Sequence, residues 1–215
     1  MAKAGTQNQV RGTDTKLEMK TFERVAIGLR AKTARAIVVI LGGPPSAPTV
    51  LLKGEISLID PKMPGTAQPY HRVMDLTWEQ SERKVRPYVT CLERVATRAL
   101  SDLLEKMRAS HRQVAGISIL GAPDRDLKRI SNPHIRAHAA EGVLFRRVLA
   151  VGAEANGLKS KTFSDRDFDD AAAFELGAKY ALVKRSLVGL KTSVAPPWRN
   201  DEKQAAMAAW LMLHS

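Results

Sequence analysis

His134, His138 and Glu141 are of residue types that do chemistry, and they recur at steps of four and three. That spacing puts them on one face of a helix. Two imidazoles one turn apart can ligate a single metal ion, and the carboxylate can join them as a ligand or pair with an imidazole as a general base. The surrounding residues define the helix. Ser131 or Asn132 can cap it, Pro133 suits its first turn, and Asn156-Gly157 suits its end, so the element is expected over 133–155. The same face continues through Phe145 and Val148, which belong in a core. A buried polar group needs a partner. The ionisable half of the face is therefore a structural hydrogen-bond cluster or a site. No His-Glu-x-x-His pattern is present, so a third ligand must come from elsewhere.

Two further places hold candidate groups. Residues 60–71 contain three prolines and a glycine and end in Gln68, Tyr70 and His71. Polar residues on a rigid loop often contact ligands; the alternative is a structural lid whose Tyr and His pack on the sheet. Asp201 and Glu202 open the last helix, where a carboxylate also complements the macrodipole without any other task. Among the basic residues, Arg30, Lys32, Arg136, Arg146 and Lys203 are placed to meet phosphate, and the competing expectation is ordinary solvated surface.

The whole chain sets the scale of the scaffold. Its 215 residues are enough for one domain with a real core, and 44% hydrophobic content is that of a globular chain. Residues 1–20 are polar and read as a disordered basic tail, with the domain over 21–215. No apolar run reaches the roughly 18 residues of a membrane span, and no signal peptide opens the chain, which points to the cytoplasm. The single cysteine, Cys91, excludes an internal disulfide and reads as a small buried hydrophobe. The net charge of +12 makes nucleic acid the first partner to consider, since basic groups release counterions from phosphate. Only 5% of residues are aromatic, which argues against a base-stacking single-strand platform.

Alternation and turn residues then order the elements. A hairpin is expected over 22–41, turning at 30–35, and a third strand over 50–59. A long helix follows over 79–109, with Tyr88, Leu92, Val95, Ala99, Leu103 and Met107 as its apolar stripe and Arg83, Lys84, Arg86, Arg94, Arg98, Lys106 and Arg108 on its solvated face. An apolar strand over 114–120, the 133–155 helix, a strand over 158–163 and a helical region over 168–190, capped by Asp165 or Asp167, come next. Trp198 is expected to be a packed anchor, and Asn200 is expected to cap the last helix, 201–213, whose Ala205 and Ala209 suit close packing on the sheet.

The order β-β-β-α-β-α-β-α-α resembles that of the ribonuclease H-like superfamily, and three segments carry the resemblance further. Residues 26–40, Ala-Ile-Gly-Leu-Arg-Ala-Lys-Thr-Ala-Arg-Ala-Ile-Val-Val-Ile, resemble the first hairpin of RuvC-type Holliday junction resolvases. Residues 182–190, Leu-Val-Lys-Arg-Ser-Leu-Val-Gly-Leu, resemble the segment before the last helix in that family, and 201–209 resemble the acidic start of that helix. The chain also resembles a group of bacterial proteins sharing Gln-Pro-Tyr-His, His-x-Ala-Glu-Gly-x-Leu-Phe-Arg and Pro-Pro-Trp-x-x-Asp-Glu-Lys motifs, a likeness that brings no activity with it. The family likeness implies an α/β fold: a mixed sheet with an antiparallel three-strand meander, then β-α units, with helices on both faces.

It also implies a chemistry, cleavage of phosphodiesters by two metal ions held by four carboxylates. Here the first-strand acid falls on Leu29 or Arg30, the fourth-strand acid near Leu120, and the partner of Asp201 one turn on is Gln204. A standard two-metal site is therefore not expected. Three readings follow. The first is a nucleic-acid-binding protein on a degenerate nuclease fold. The second is a metal-dependent nuclease or hydrolase using His134, His138, Glu141 and Asp201, with His71 as a further candidate, and taking Mg²⁺ or Mn²⁺. The third is a protein-interaction module. Convergence of His71, Glu141 and Asp201 would favour the second.

Overall fold

The computed structural model describes residues 22–44, 46–192 and 194–214; the expected basic tail lies outside the described residues. Five strands form one sheet in the order β3-β2-β1-β4-β5. Strands β1 (Glu23–Lys32), β2 (Arg35–Gly42) and β3 (Thr49–Ser57) make an antiparallel meander. Strands β4 (Arg112–Gly121) and β5 (Ser160–Ser164) extend it in parallel on the other side of β1. The helices are α1 (Trp78–Ala109), α2 (Pro133–Ala155), α3 (Phe168–Leu176), α4 (Tyr180–Gly189) and α5 (Asn200–Leu213). This is an α/β arrangement, a mixed sheet that opens with the expected three-strand meander and is covered by helices on both faces.

Alternation along β1 divides the core. Val25, Ile27, Leu29 and Ala31 face α1 and α2, whereas Ala26 faces α3, α4 and α5 together with Val39, Leu41 and Leu120. Gly28 lies on the α5 side, where an added Cβ would overlap the carbonyl oxygen of Ala205. The alanines of α5 and this missing side chain let the helix backbone sit directly on β1. Ala205, Ala206, Ala208 and Ala209 are all fully buried, so α5 is a central layer between the sheet and α3 and α4.

Several local expectations are corrected. The β1–β2 turn is not 30–35 but the two residues Thr33-Ala34, with Lys32 paired to Arg35 and Ala34 at φ 66°. Arg30 and Lys32 thus continue the strand alternation, because acids on the α5 side receive their charge. The buried stripe of α1 runs through Val85, Leu92, Ala96, Leu100, Leu103 and Met107, rotated away from Tyr88, Val95 and Ala99, which stay partly exposed. Asn200 is the first residue of α5 rather than its cap, and the Arg199 backbone N–H donates instead to Glu202 Oε2 at 2.8 Å. Asp167 stands before α3 without a side-chain cap. Cys91 is buried, yet its thiol donates to Asp60 Oδ2 at 3.1 Å, so it is more than a filler. Trp198 is packed as expected, 7% exposed, with its indole N–H donating to the Leu187 carbonyl. No helix among the described residues is long and apolar enough to cross a membrane.

Candidate functional sites

The first site is positioned by α2 and by the chain between β3 and α1. Asn132 Oδ1 accepts from the Ile135 N–H, and Pro133 occupies the first turn, so α2 starts where its residue types require. Phe145 and Val148 are fully buried and hold the lower part of the helix in the core. The connecting loop is rigid for identifiable reasons. Thr66 Oγ1 accepts from the Asp60 N–H and donates to the Met63 carbonyl. Tyr70 stacks on Trp78, with ring centroids 5.5 Å apart and planes 6° from parallel. Thr77 and Gln80 form a reciprocal capping box at the start of α1. Arg136 of α2 donates to the Leu76 carbonyl, which ties the loop end to the helix.

This scaffold brings His71 against α2. Glu141 is 0% exposed, and its Oε1 accepts from both the backbone N–H of His71 (3.2 Å) and His71 Nδ1 (2.9 Å). The ring of His71 meets His138 and His134 edge-on, with centroid separations of 4.3 and 5.1 Å. His134 and His138 approach at 3.1 Å between their Nε2 atoms. One ligand nitrogen from each of the three imidazoles lies within 4.8 Å of the others. His71 Nε2 and Glu141 Oε2 are buried without a hydrogen-bond partner among the described residues. Burial pushes the neighbouring Tyr70 phenol above its ordinary range, and the charges of Glu82 and Glu141 add to that.

The second site lies on the opposite face, at the carboxyl ends of β1 and β5 and the start of α5. Arg30 Nη2 meets Asp165 Oδ2 at 3.0 Å, and its Nε lies 3.5 Å from Asp201 Oδ1. Lys32 Nζ meets Asp201 Oδ2 at 3.2 Å. The Arg30 side chain is 12% exposed, so this is a partly desolvated quartet of two cations and two carboxylates. Leu120, beside Arg30 in register, is fully buried, and Gln204 stands one turn after Asp201. These residues do not fit a metal pair held by four carboxylates, because a guanidinium stands where a cation would and an alkyl chain where a ligand would.

The convergence of His71, Glu141 and Asp201 that would favour the hydrolase reading does not occur. His71 meets Glu141, but Asp201 belongs to the quartet across the sheet. Of the candidate metal ligands, His134 and His138 meet a third imidazole, that of His71, while Glu141 hydrogen-bonds to His71. Of the loop trio, Tyr70 packs on the core, His71 enters the cluster and Gln68 stays exposed.

The phosphate candidates are dispersed. Arg30 and Lys32 are paired with acids, Arg136 is bound to a carbonyl, and Lys203 lies half-buried in a separate cavity with Asp169 and Lys184. Arg146 is buried against Gly121 and donates to Asp124, so it is not solvated surface. Asp165, whose position before a helix reads as a cap, instead pairs with Arg30. Its place just after β5, in the loops where the parallel strands end, was the available signal. A cavity of about 450 Å³, lined by Leu104, Arg108, Gln113 and Leu158, lies at the opposite, amino ends of β1 and β4, away from both clusters.

On α1, Arg83, Arg86, Arg94, Arg98 and Arg108 are all exposed. At 100° per residue they fall within one arc of roughly 120°, spread over about 37 Å of helix. Arg94 pairs with Asp60, whereas the other four make no ion pair among the described residues.

No protein-family model matches the chain, and no curated protein does. Solved structures similar to it include Thermus thermophilus RuvC in complex with a Holliday junction substrate, at 13% identity and TM-score 0.43, covering 87% of this chain and 91% of that one. They also include Thermus thermophilus RuvC, at 11% identity and TM-score 0.45, covering 87% and 92%.

Proposed function

We propose that the chain is a nucleic-acid-binding protein on a degenerate RuvC-like scaffold, without the two-metal centre of the cutting enzymes. The observation that carries the reading is the arginine arc of α1. Four exposed guanidiniums on one helix face, without an ion pair among the described residues, in a chain of net charge +12, are suited to a phosphate backbone. Arg30 between Asp165 and Asp201 supports the non-catalytic half of the reading.

The test is titration against branched, duplex and single-stranded DNA and RNA at two salt concentrations, with and without Mg²⁺ or Mn²⁺. For duplex DNA, four phosphate contacts give a slope of log affinity on log salt of about −3.6. Replacing Arg83, Arg86, Arg98 or Arg108 with Ser lowers the steepness by about one each. Binding that ignores salt, or that survives loss of all four, overturns the reading. A second reading, a metal-dependent phosphodiesterase, is favoured by the imidazole cluster. Metal-dependent products that disappear in His138→Ala would establish it in place of the first.

A further inference from the structure

We propose that His71, His134 and His138 bind one divalent transition metal of the zinc class, with Glu141 as the carboxylate that orients His71. The site is independent of the nucleic-acid reading, since it uses none of the α1 arginines.

The geometry is that of a ligand set. Tetrahedral zinc with Zn–N bonds of about 2.0–2.1 Å places its nitrogens roughly 3.4 Å apart. The Nε2 atoms of His134 and His138 are 3.1 Å apart, so small ring rotations admit an ion between them. A four-residue helical step gives two ligands on one face, and the loop brings the third from 63 residues earlier, as the positions of His71 and His134 show.

Glu141 makes the cluster more than a chance meeting of rings. By accepting from Nδ1 of His71, its carboxylate fixes the tautomer that leaves Nε2 with a free lone pair. That Nε2 is buried and has no hydrogen-bond partner among the described residues, and neither has Glu141 Oε2. A fully buried carboxylate whose hydrogen-bond partners among the described residues are both groups of His71 also lacks a compensating full charge there while that imidazole is neutral. A cation held by the imidazoles supplies one.

Neutral imidazoles select zinc, copper, nickel or iron over Mg²⁺ and Ca²⁺, which take oxygen ligands. His134 and His138 are exposed, so a fourth coordination position faces solvent. The ion joins the β3–α1 connection to α2 and therefore stiffens that loop.

The test uses the untagged chain, stripped with chelator, and zinc titrated against a chromophoric competitor. One equivalent is expected to bind. His71→Ala, His134→Ala and His138→Ala should each weaken binding by at least about a hundredfold, and Glu141→Gln by about 10–100-fold. His111→Ala leaves affinity unchanged. Co²⁺ in the same site gives a visible absorption band, and zinc raises hydrogen-exchange protection over residues 60–77. His134 and His138 are on the surface, so their variants keep the fold, which circular dichroism checks. Less than one equivalent, unchanged affinity in both surface variants, or equal loss in His111→Ala overturns the proposal. Salt-dependent binding of nucleic acid to the metal-free chain separates this result from the fate of the nucleic-acid reading.

Discussion

On one face of the sheet Arg30, Lys32, Asp165 and Asp201 meet as two cations and two carboxylates; on the other, three imidazoles meet above the single buried carboxylate of Glu141. Both clusters sit on an element that packing holds in place, α5 in one case and α2 in the other. The first is internally neutral, and a metal could enter only by displacing a guanidinium. The second offers lone pairs that no cation among the described residues contacts. The same fold thus presents one place where charge is already matched and another where donors are left over, and chemistry is to be sought at the second.

Three measurements can break or sharpen that contrast. Gly28→Val should have the largest effect. The new side chain overlaps the Ala205 carbonyl, so α5 must lift from β1 and carry Asp201 away from Arg30. A loss of at least about 3 kcal/mol is expected in urea unfolding, with α5 amides losing exchange protection before those of α2. Unchanged stability would mean that α5 does not sit as described.

Arg30→Asp comes next. It removes the guanidinium between Asp165 and Asp201 and adds a third carboxylate beside them, at an expected cost of about 1–3 kcal/mol in chelator. The melting temperature of this variant should then rise with Mg²⁺, because an ion that binds only the folded state stabilises it. Arg30→Met should show the loss without the Mg²⁺ response. If Mg²⁺ acts on neither variant, the quartet is not a metal site blocked by one residue, and the two faces differ in some other way.

The smallest effect concerns the anchor of the loop that bears His71. The Cys91 thiol, the Lys62 N–H and Arg94 hold the Asp60 carboxyl below its ordinary value of 3.8. A lowered folded value means that the contribution is present above the unfolded value and is lost as pH falls through the folded one. The difference in melting temperature between the native chain and Asp60→Asn should therefore shrink as pH falls below about 4. Exchange protection should change over 60–77 and not at the quartet. A difference that persists at lower pH would show that Asp60 acts by packing alone.

The order of elements was legible from alternation and turn residues, as was the α2 face, because both are set by contacts near in sequence. The 133–155 boundaries hold since Asn132, Pro133 and Gly157 act locally on the backbone. The end of β1 was read too early because charged residues at 30 and 32 look like a turn until Asp165 and Asp201, 135 and 169 residues away, are seen to receive them. The buried stripe of α1 was misplaced by a fraction of a turn, since near-equal apolar positions are separated only by what α2 and the sheet present to them.

By itself the sequence determined the periodicities: which strands alternate, which helix carries two imidazoles and a carboxylate, and that no acid stands at position 30 or 120. Tertiary structure alone decided the partners. It placed His71 on Glu141, and it put Asp201 on the far face with Arg30. The reason is physical: side-chain direction follows from the local backbone, whereas the group that neutralises a charge is chosen by how sheet and helices close around it.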